Sequence, residues 1–104
     1  MEEQSERLPV PSQKEALIMQ LLARNGEQYG LQMVDGSDGE LKRGTVYVTL
    51  DRMEDKGYLT SRQEEKLPGA IGLPRRLYKL TGHGARVLHA WEAYGVALAP
   101  LGAR

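Results

Sequence analysis

Residues 42–59 read KRGTVYVTLDRMEDKGYL, and this stretch decides the fold. Apolar residues recur in it at helical spacing, which predicts a helix from about Arg43 to Lys56. Its predicted buried stripe consists of Val46, Leu50 and Met53. Gly57 is placed to end the helix, because glycine readily adopts the left-handed conformation found at many helix ends. The stretch therefore predicts an amphipathic helix with one side on a core and the other side open.

Two shorter helices are predicted before this stretch. Ser12 and Glu15 have the spacing of a capping box, in which the hydroxyl and the carboxylate each accept from the other residue's amide. The first helix is predicted to end near Asn25, and its apolar face consists of Leu17, Ile18, Leu21 and Leu22. The second is predicted from about Glu27 to Val34, burying Leu31 and Val34. Residues 35–39 are interpreted as a turn and not as a calcium loop, because Glu40 holds the position that requires glycine.

A hairpin and a last helix follow the central stretch. The segments 58–62 and 76–80 are rich in β-prone residues, and the Gly- and Pro-rich residues between them predict a long mobile tip. Thr81 is placed to cap a last helix from about Gly82 to Leu98, with Pro100 beyond it.

This order of elements predicts an α+β, mainly helical, winged helix-turn-helix fold. It consists of a three-helix core, a two-stranded wing and a C-terminal dimerisation helix. The predicted divisions are a flexible arm over 1–11, the winged-helix domain over 12–81, the dimerisation helix over 82–99 and a tail over 100–104.

The open side of the third helix has the features of a DNA-reading surface. An α-helix about 10–12 Å across fits the major groove of B-DNA, which is roughly 12 Å wide. Val48 faces outward, where it can contact a thymine methyl group, and a solvated helix with one stray valine is the alternative. Asp51 and Asp55 lie on the same side, so only the first two turns are expected to enter the groove. The predicted DNA-contacting residues of this helix are Lys42, Arg43, Gly44, Thr45, Tyr47, Val48 and Arg52.

The formal net charge is zero, yet the charges are segregated along the chain. Residues 1–41 hold three Lys/Arg against eight Asp/Glu, whereas residues 42–86 hold ten against five. Phosphate binding depends on a local basic face and not on the total charge. Lys66, Arg75 and Arg76 add basic side chains at the wing, which is predicted to contact phosphates or a minor groove. The alternative for the arginine pair is solvation of an edge strand.

An ordered set of motifs resembles the PadR family of transcriptional regulators. The sequence Gly44-Thr45-Val46-Tyr47, with Leu50, Met53-Glu54 and Lys56-Gly57-Tyr58-Leu59, is similar to that family's third-helix pattern. Tyr29-Gly30 resembles its Gly-Tyr element at the second helix. The segment from Arg75 to Thr81, with Gly84, looks like its wing exit. Lys42 stands where family members often have a capping serine.

The lack of cysteine, of a signal peptide and of an apolar span predicts a cytoplasmic protein. The resemblance implies a dimeric repressor that binds a pseudo-palindromic operator in double-stranded DNA. It carries DNA contacts onto Lys42, Thr45, Tyr47, Val48, Arg75 and Arg76, and it places the last helix in the homodimer contact. The residues predicted to line the dimer interface are Leu17, Leu21, Val87, Leu88, Trp91, Tyr94 and Leu98. Some relatives sense a small aromatic effector, for which Trp91 is the candidate here; ordinary interface packing is the alternative for Trp91.

Other function classes are less well supported by the residues. His83 and His89 do not share a helix face, and the chain has no cysteine, so neither an enzyme nor a metal or cofactor site is expected. The acidic amino terminus is unlike a signal peptide, and no apolar run approaches the roughly 20 residues of a membrane span. The remaining alternative is a winged-helix module that binds protein rather than DNA. The neutral total charge and the acidic residues of the third helix favour it.

Overall fold

The computed structural model describes residues 9–65, 68, 69, 72 and 75–102, with side chains of the last helix described up to residue 94. The elements in chain order are α1 (Gln13–Asn25), β1 (Gln28–Tyr29), α2 (Gly30–Asp35), α3 (Arg43–Asp55), β2 (Leu59–Gln63), β3 (Arg76–Leu80) and α4 (Gly82–Gly102). This arrangement confirms the predicted winged helix-turn-helix. Most of the predicted arm, Lys66 and most of the wing tip lie outside the described residues.

The capping box at the start of α1 is formed as the sequence predicts. Ser12 Oγ accepts from the Glu15 amide at 3.1 Å, and Glu15 Oε1 accepts from the Ser12 amide at 2.9 Å. The Glu15 carboxylate also binds Lys56 Nζ at 2.7 Å, just beyond the end of α3. Burial raises the pKa of Glu15, but the hydrogen bonds from Lys56 and the Ser12 amide outweigh it and lower the pKa below its ordinary value. The pair therefore joins the start of α1 to the end of α3.

The prediction of one helix from Glu27 to Val34 is wrong. Gln28 and Tyr29 form a short strand that pairs antiparallel with β3, so the sheet has three strands in the order β1-β3-β2. The two extended residues supply hydrogen-bonding partners along the outer side of β3. The helix starts only at Gly30, and Met33 fills the core position that the sequence analysis assigned to Leu31.

The prediction for α3 is confirmed. Val46, Leu50 and Met53 are buried in the core, and the helix gives way to a turn at Gly57, whose φ is +82°. Only glycine adopts this conformation at little cost, so Gly57 ends the helix and directs the chain into β2.

The wing and the last helix share one anchor point. Strand β2 pairs antiparallel with β3, from Leu59 opposite Leu80 to Gln63 opposite Arg76. Thr81 Oγ1 donates to the Gly57 carbonyl at 2.6 Å and accepts from the Gly84 amide at 2.9 Å, which fixes the start of α4.

The last helix is longer than predicted and belongs to the core. It continues to Gly102, past the predicted end at Leu98 and past Pro100. The assignment of Leu21, Val87 and Leu88 to a dimer interface is wrong. The three side chains are at most 5% exposed in the single chain, since α4 packs on α1 and covers them.

Candidate nucleic-acid interface

The first two turns of α3 present an open surface beside the wing. Gly44 and Thr45 are exposed, and the side chains of Tyr47 and Val48 are 43% and 56% exposed. These two apolar side chains stay in water in the single chain because Val46 and Leu50 occupy the buried stripe. Val48 and part of the Tyr47 ring therefore give the start of α3 an exposed apolar surface.

The start of α3 lacks a side-chain cap. Lys42 is the N-cap residue, and its ammonium group has no acceptor with which to bind the first backbone amides. Free amides and the helix dipole at such an end attract anions, and the exposed side chains of Lys42 and Arg43 add positive charge there. With lysine as the N-cap residue, the first amides of α3 receive no side-chain cap from that residue.

Arg75 is held at the base of the wing by two groups. Its guanidinium lies over the Tyr29 ring, with Cζ 4.2 Å from the ring centroid, and its Nε is 3.4 Å from Glu64 Oε1. The Tyr29 hydroxyl donates to Glu64 Oε2 at 3.2 Å, so β1, Glu64 and Arg75 form one polar network. The side chain of Arg75 remains 63% exposed, which leaves it accessible to a phosphate.

Arg76 is connected to α3 through a hydroxyl group. Its Nη1 donates to Ser61 Oγ at 3.0 Å, and Ser61 Oγ donates to Glu54 Oε2 at 2.7 Å. This chain of hydrogen bonds fixes the wing relative to the third helix. The other described arginine of the hairpin, Arg62, is bound by both carboxylate oxygens of Glu27 at 2.9 and 3.0 Å, so its charge is already matched.

A groove of about 440 Å³ lies between α2, α3 and the wing. It is lined by Tyr29, Leu31, Gln32, Asp35, Tyr47, Arg75 and Arg76. Two tyrosine rings and two guanidinium groups are suited to a nucleic-acid backbone, which offers phosphates and sugars together. The groove brings three predicted DNA-contacting residues, Tyr47, Arg75 and Arg76, into one site.

The second half of α3 is acidic and lies next to the sheet. Burial raises the pKa of Tyr78, and the nearby carboxylates of Asp51 and Glu54 raise it further. Asp51 and Asp55 are exposed, whereas Glu54 is held by Ser61. Carboxylates repel phosphates, so these acidic residues are the reason for the prediction that only the start of α3 enters a groove, which stays a prediction.

The remaining predicted residues fall in different places. Arg52 is exposed in the last turn of α3 but does not line the groove, and Lys66 lies outside the described residues. Sequence reasoning missed Tyr29, Leu31 and Gln32 as groove residues and Glu64 as the partner of Arg75. The Tyr29-Gly30 pair was the one available signal, and it indicated only where the second helix begins.

A second, apolar groove lies between the residues before α1 and the last helix, α4. It has a volume of about 300 Å³ and is lined by Pro9, Val10, Pro11, Ala90, Trp91 and Tyr94. Val10 and Tyr94 are 87% and 67% exposed, whereas Trp91 and Leu17 are half-buried and pack against the core. Leu98 lies outside the described side chains.

Metal and membrane sites were sought over the same described part of the chain. It contains no group of His, Asp and Glu side chains arranged to hold a metal ion. No helix within it is long and apolar enough to span a bilayer.

The solved structures that this chain resembles include several PadR family regulators. A PadR family transcription regulator from Clostridium difficile R20291 has a TM-score of 0.71 and 26% identity, over 84% of this chain and 91% of its own. A PadR-like transcription factor from Bacteroides fragilis has a TM-score of 0.71 and 28% identity, over 85% of this chain and 84% of its own. Bacillus subtilis PadR, solved in complex with operator DNA, has a TM-score of 0.66 and 27% identity, over 77% of this chain and 46% of its own.

The fold and these likenesses define a winged-helix transcriptional regulator. The family model described as the transcriptional regulator PadR-like family matches residues 18–90, which is most of the chain. The chain belongs to the PadR-like family. Comparison with curated proteins gives no match.

Proposed function

We propose that this regulator binds operator DNA directly, as a homodimer, and represses transcription from the sites it occupies. The observation that carries this proposal is the groove in which Tyr47 of α3 meets Arg75 and Arg76 of the wing, beside the open side of α3. The groups proposed to read bases and the groups proposed to bind phosphates thus lie next to each other on one surface of the molecule. Such a combination serves both register and sequence recognition.

Each contact has a proposed role. Val48 and Tyr47 read base edges in the major groove, while Gly44 and Thr45 allow the helix backbone to approach closely. Lys42 and Arg43, with the free amides at the start of α3, bind one backbone phosphate. Arg75 and Arg76 bind phosphates beside the wing, and the acidic half of α3 limits how far the helix enters the groove.

The dimer is proposed to form through the apolar groove on α4. Tyr94 and Val10 expose large apolar side chains there, and burial against a second copy removes them from water. Trp91 borders the same groove, and a planar aromatic effector is proposed to bind against it. Binding there would alter the spacing of the two α3 helices and so relieve repression.

Selection of bound duplexes from a random DNA pool tests the proposal. We expect enrichment of an inverted repeat whose half-sites lie about one helical turn, roughly 10 base pairs, apart. Affinity for the selected duplex should fall steeply with salt, with a log–log slope of about −0.9 for each phosphate contacted. If no sequence is enriched and binding of the protein to DNA does not depend on salt, the alternative of a winged-helix module that binds protein rather than DNA is correct.

A further inference from the structure

We propose that Gly30 is a positioning residue for Tyr47: the absent side chain leaves the space in which the Tyr47 ring lies, and so fixes the ring for DNA reading. The inference rests on the proposed DNA contact of Tyr47. Gly30 itself is buried at the start of α2 and has no side chain with which to contact DNA.

The evidence is the distance between the two residues. A Cβ atom placed on Gly30 would lie 2.7 Å from Cε1, 2.8 Å from Cζ and 2.9 Å from the hydroxyl oxygen of Tyr47. Carbon atoms in contact normally lie about 3.5–4.0 Å apart. The outer end of the ring therefore rests directly on the backbone of α2, in a place that any other residue at position 30 would fill.

The backbone conformation does not itself require glycine at this position. The φ of Gly30 is not positive, and the residue begins a helix, where alanine is favoured over glycine. Space, and not conformational freedom, is thus what the missing side chain supplies. Glycine is less favourable than alanine for helix stability. The atoms that fill the space beside Gly30 belong to a partly exposed ring and not to a core side chain.

A methyl group at position 30 should move the ring and leave the fold intact. The three contacted atoms are the far end of a side chain that is 43% exposed, whereas Val46 and Leu50 hold the α3 backbone in the core. The ring can therefore leave its place over Gly30 by side-chain rotation alone. Tyr47 also lines the groove that contains Arg75 and Arg76, so its displacement alters the surface that meets DNA.

Double-mutant analysis of Gly30→Ala and Tyr47→Ala tests this coupling. The probes are a labelled duplex of about 30 base pairs, three helical turns, carrying the sequence selected by the parent protein, and a scrambled duplex of equal length. We expect Gly30→Ala to weaken binding to the selected duplex about five- to tenfold, as the loss of one base contact does, and to change binding to the scrambled duplex less. In the Tyr47→Ala background, Gly30→Ala should change neither affinity.

Gly36→Ala provides a matched control at the other end of α2. A Cβ there would lie 3.5 Å from its nearest neighbour, an ordinary contact, so DNA affinity should equal that of the parent. Thermal unfolding should show that Gly30→Ala is at least as stable as the parent.

Three results would overturn the inference, and they can be told apart from failure of the proposed DNA contact. An equal loss from Gly30→Ala with and without Tyr47 shows that Gly30 does not act through the ring. Unfolding of Gly30→Ala shows that the ring cannot yield, and unchanged affinity of Gly30→Ala shows that its place is irrelevant. If Tyr47→Ala alone binds the selected duplex as the parent does, the proposed contact of Tyr47 with DNA is what fails, and the inference falls with it.

Discussion

The guanidinium of Arg75 lies on the face of the Tyr29 ring, 4.2 Å from its centroid, while Glu64 binds both residues. The ring orients the cation by a cation–π contact, and the carboxylate neutralises part of its charge. The start of α2 and the base of the wing therefore share one network. An arginine proposed to bind phosphate is held in place by a group that also competes with phosphate for it.

Glu64→Gln should strengthen DNA binding. The amide keeps an acceptor for the Tyr29 hydroxyl but removes a negative charge from the surface that meets phosphates. Affinity for any duplex is expected to rise about threefold, the effect of one exposed ion pair. Fluorescence anisotropy over a range of salt concentrations measures this, and the salt slope should become steeper. Weaker binding would show instead that the Glu64 charge is needed to orient Arg75.

Arg76→Ala should weaken binding to all duplexes alike. A phosphate contact carries no sequence information, so the selected and scrambled duplexes should lose affinity in the same proportion, roughly fivefold. The log–log salt slope should become shallower by about 0.9. Arg86→Ala, an exposed arginine on α4, is the control and should bind as the parent does. A loss confined to the selected duplex would assign Arg76 to base reading.

Val48→Ala should change sequence preference and leave general affinity intact. Its side chain is 56% exposed on the reading side of α3, where contact with a thymine methyl buries apolar surface. Replacing the contacted thymine by deoxyuridine should weaken binding of the parent by about 1 kcal/mol, the value of one buried methyl group. The same replacement should not affect Val48→Ala. Equal effects on both proteins would place Val48 away from the thymine.

The helices that carry a clear periodic pattern could be predicted from the sequence. The bounds of α3 were predicted closely from the apolar stripe of Val46, Leu50 and Met53 and from the terminating Gly57. The start of α1 was predicted from the capping box of Ser12 and Glu15. Strand β1 could not be predicted, since two residues form no pattern, and they are extended only because β3 offers them a partner.

The partner of an apolar stripe could not be read from the sequence either. Val87 and Leu88 form an apolar face whether a second subunit or α1 of the same chain covers it, and the structure shows that α1 does. Contacts between residues far apart in sequence could not be predicted either. Tyr29 and Glu64 meet only because the sheet brings β1 beside the wing.

Glu15→Gln should make the protein less stable at neutral pH and remove part of its pH dependence. Glutamine can still close the capping box, so the change removes mainly the charge that binds Lys56. The lowered pKa of Glu15 means that its contribution is full above the ordinary value of 4.5 and is lost as the pH falls through the folded-state pKa.

We expect the free energy of unfolding at pH 7 to fall by about 1 kcal/mol, a typical net value for one hydrogen bond to a partly exposed partner. Urea unfolding of both proteins between neutral and strongly acidic pH measures the difference, which should vanish in acid. Glu40→Gln, at an exposed loop position, should follow the parent throughout. If the difference in free energy of unfolding between the two proteins persists unchanged in acid, the shape of the Glu15 side chain and not its charge is responsible for the stabilisation.

Tyr94→Asp should dissociate the proposed dimer without unfolding the chain. Tyr94 is 67% exposed on α4, so an aspartate there costs the single chain little, but in a dimer contact it would be buried without a partner. Trp91 is a poorer position for this test because it packs against the core, and its replacement would also destabilise the fold. Sedimentation at micromolar concentration should show a dimer for the parent and a monomer for Tyr94→Asp.

His89→Asp, a substitution at an exposed position on another side of the same helix, is the control and should stay dimeric. If the parent is monomeric, or if Tyr94→Asp sediments as the parent dimer does, the apolar groove on α4 is not the surface through which two copies associate.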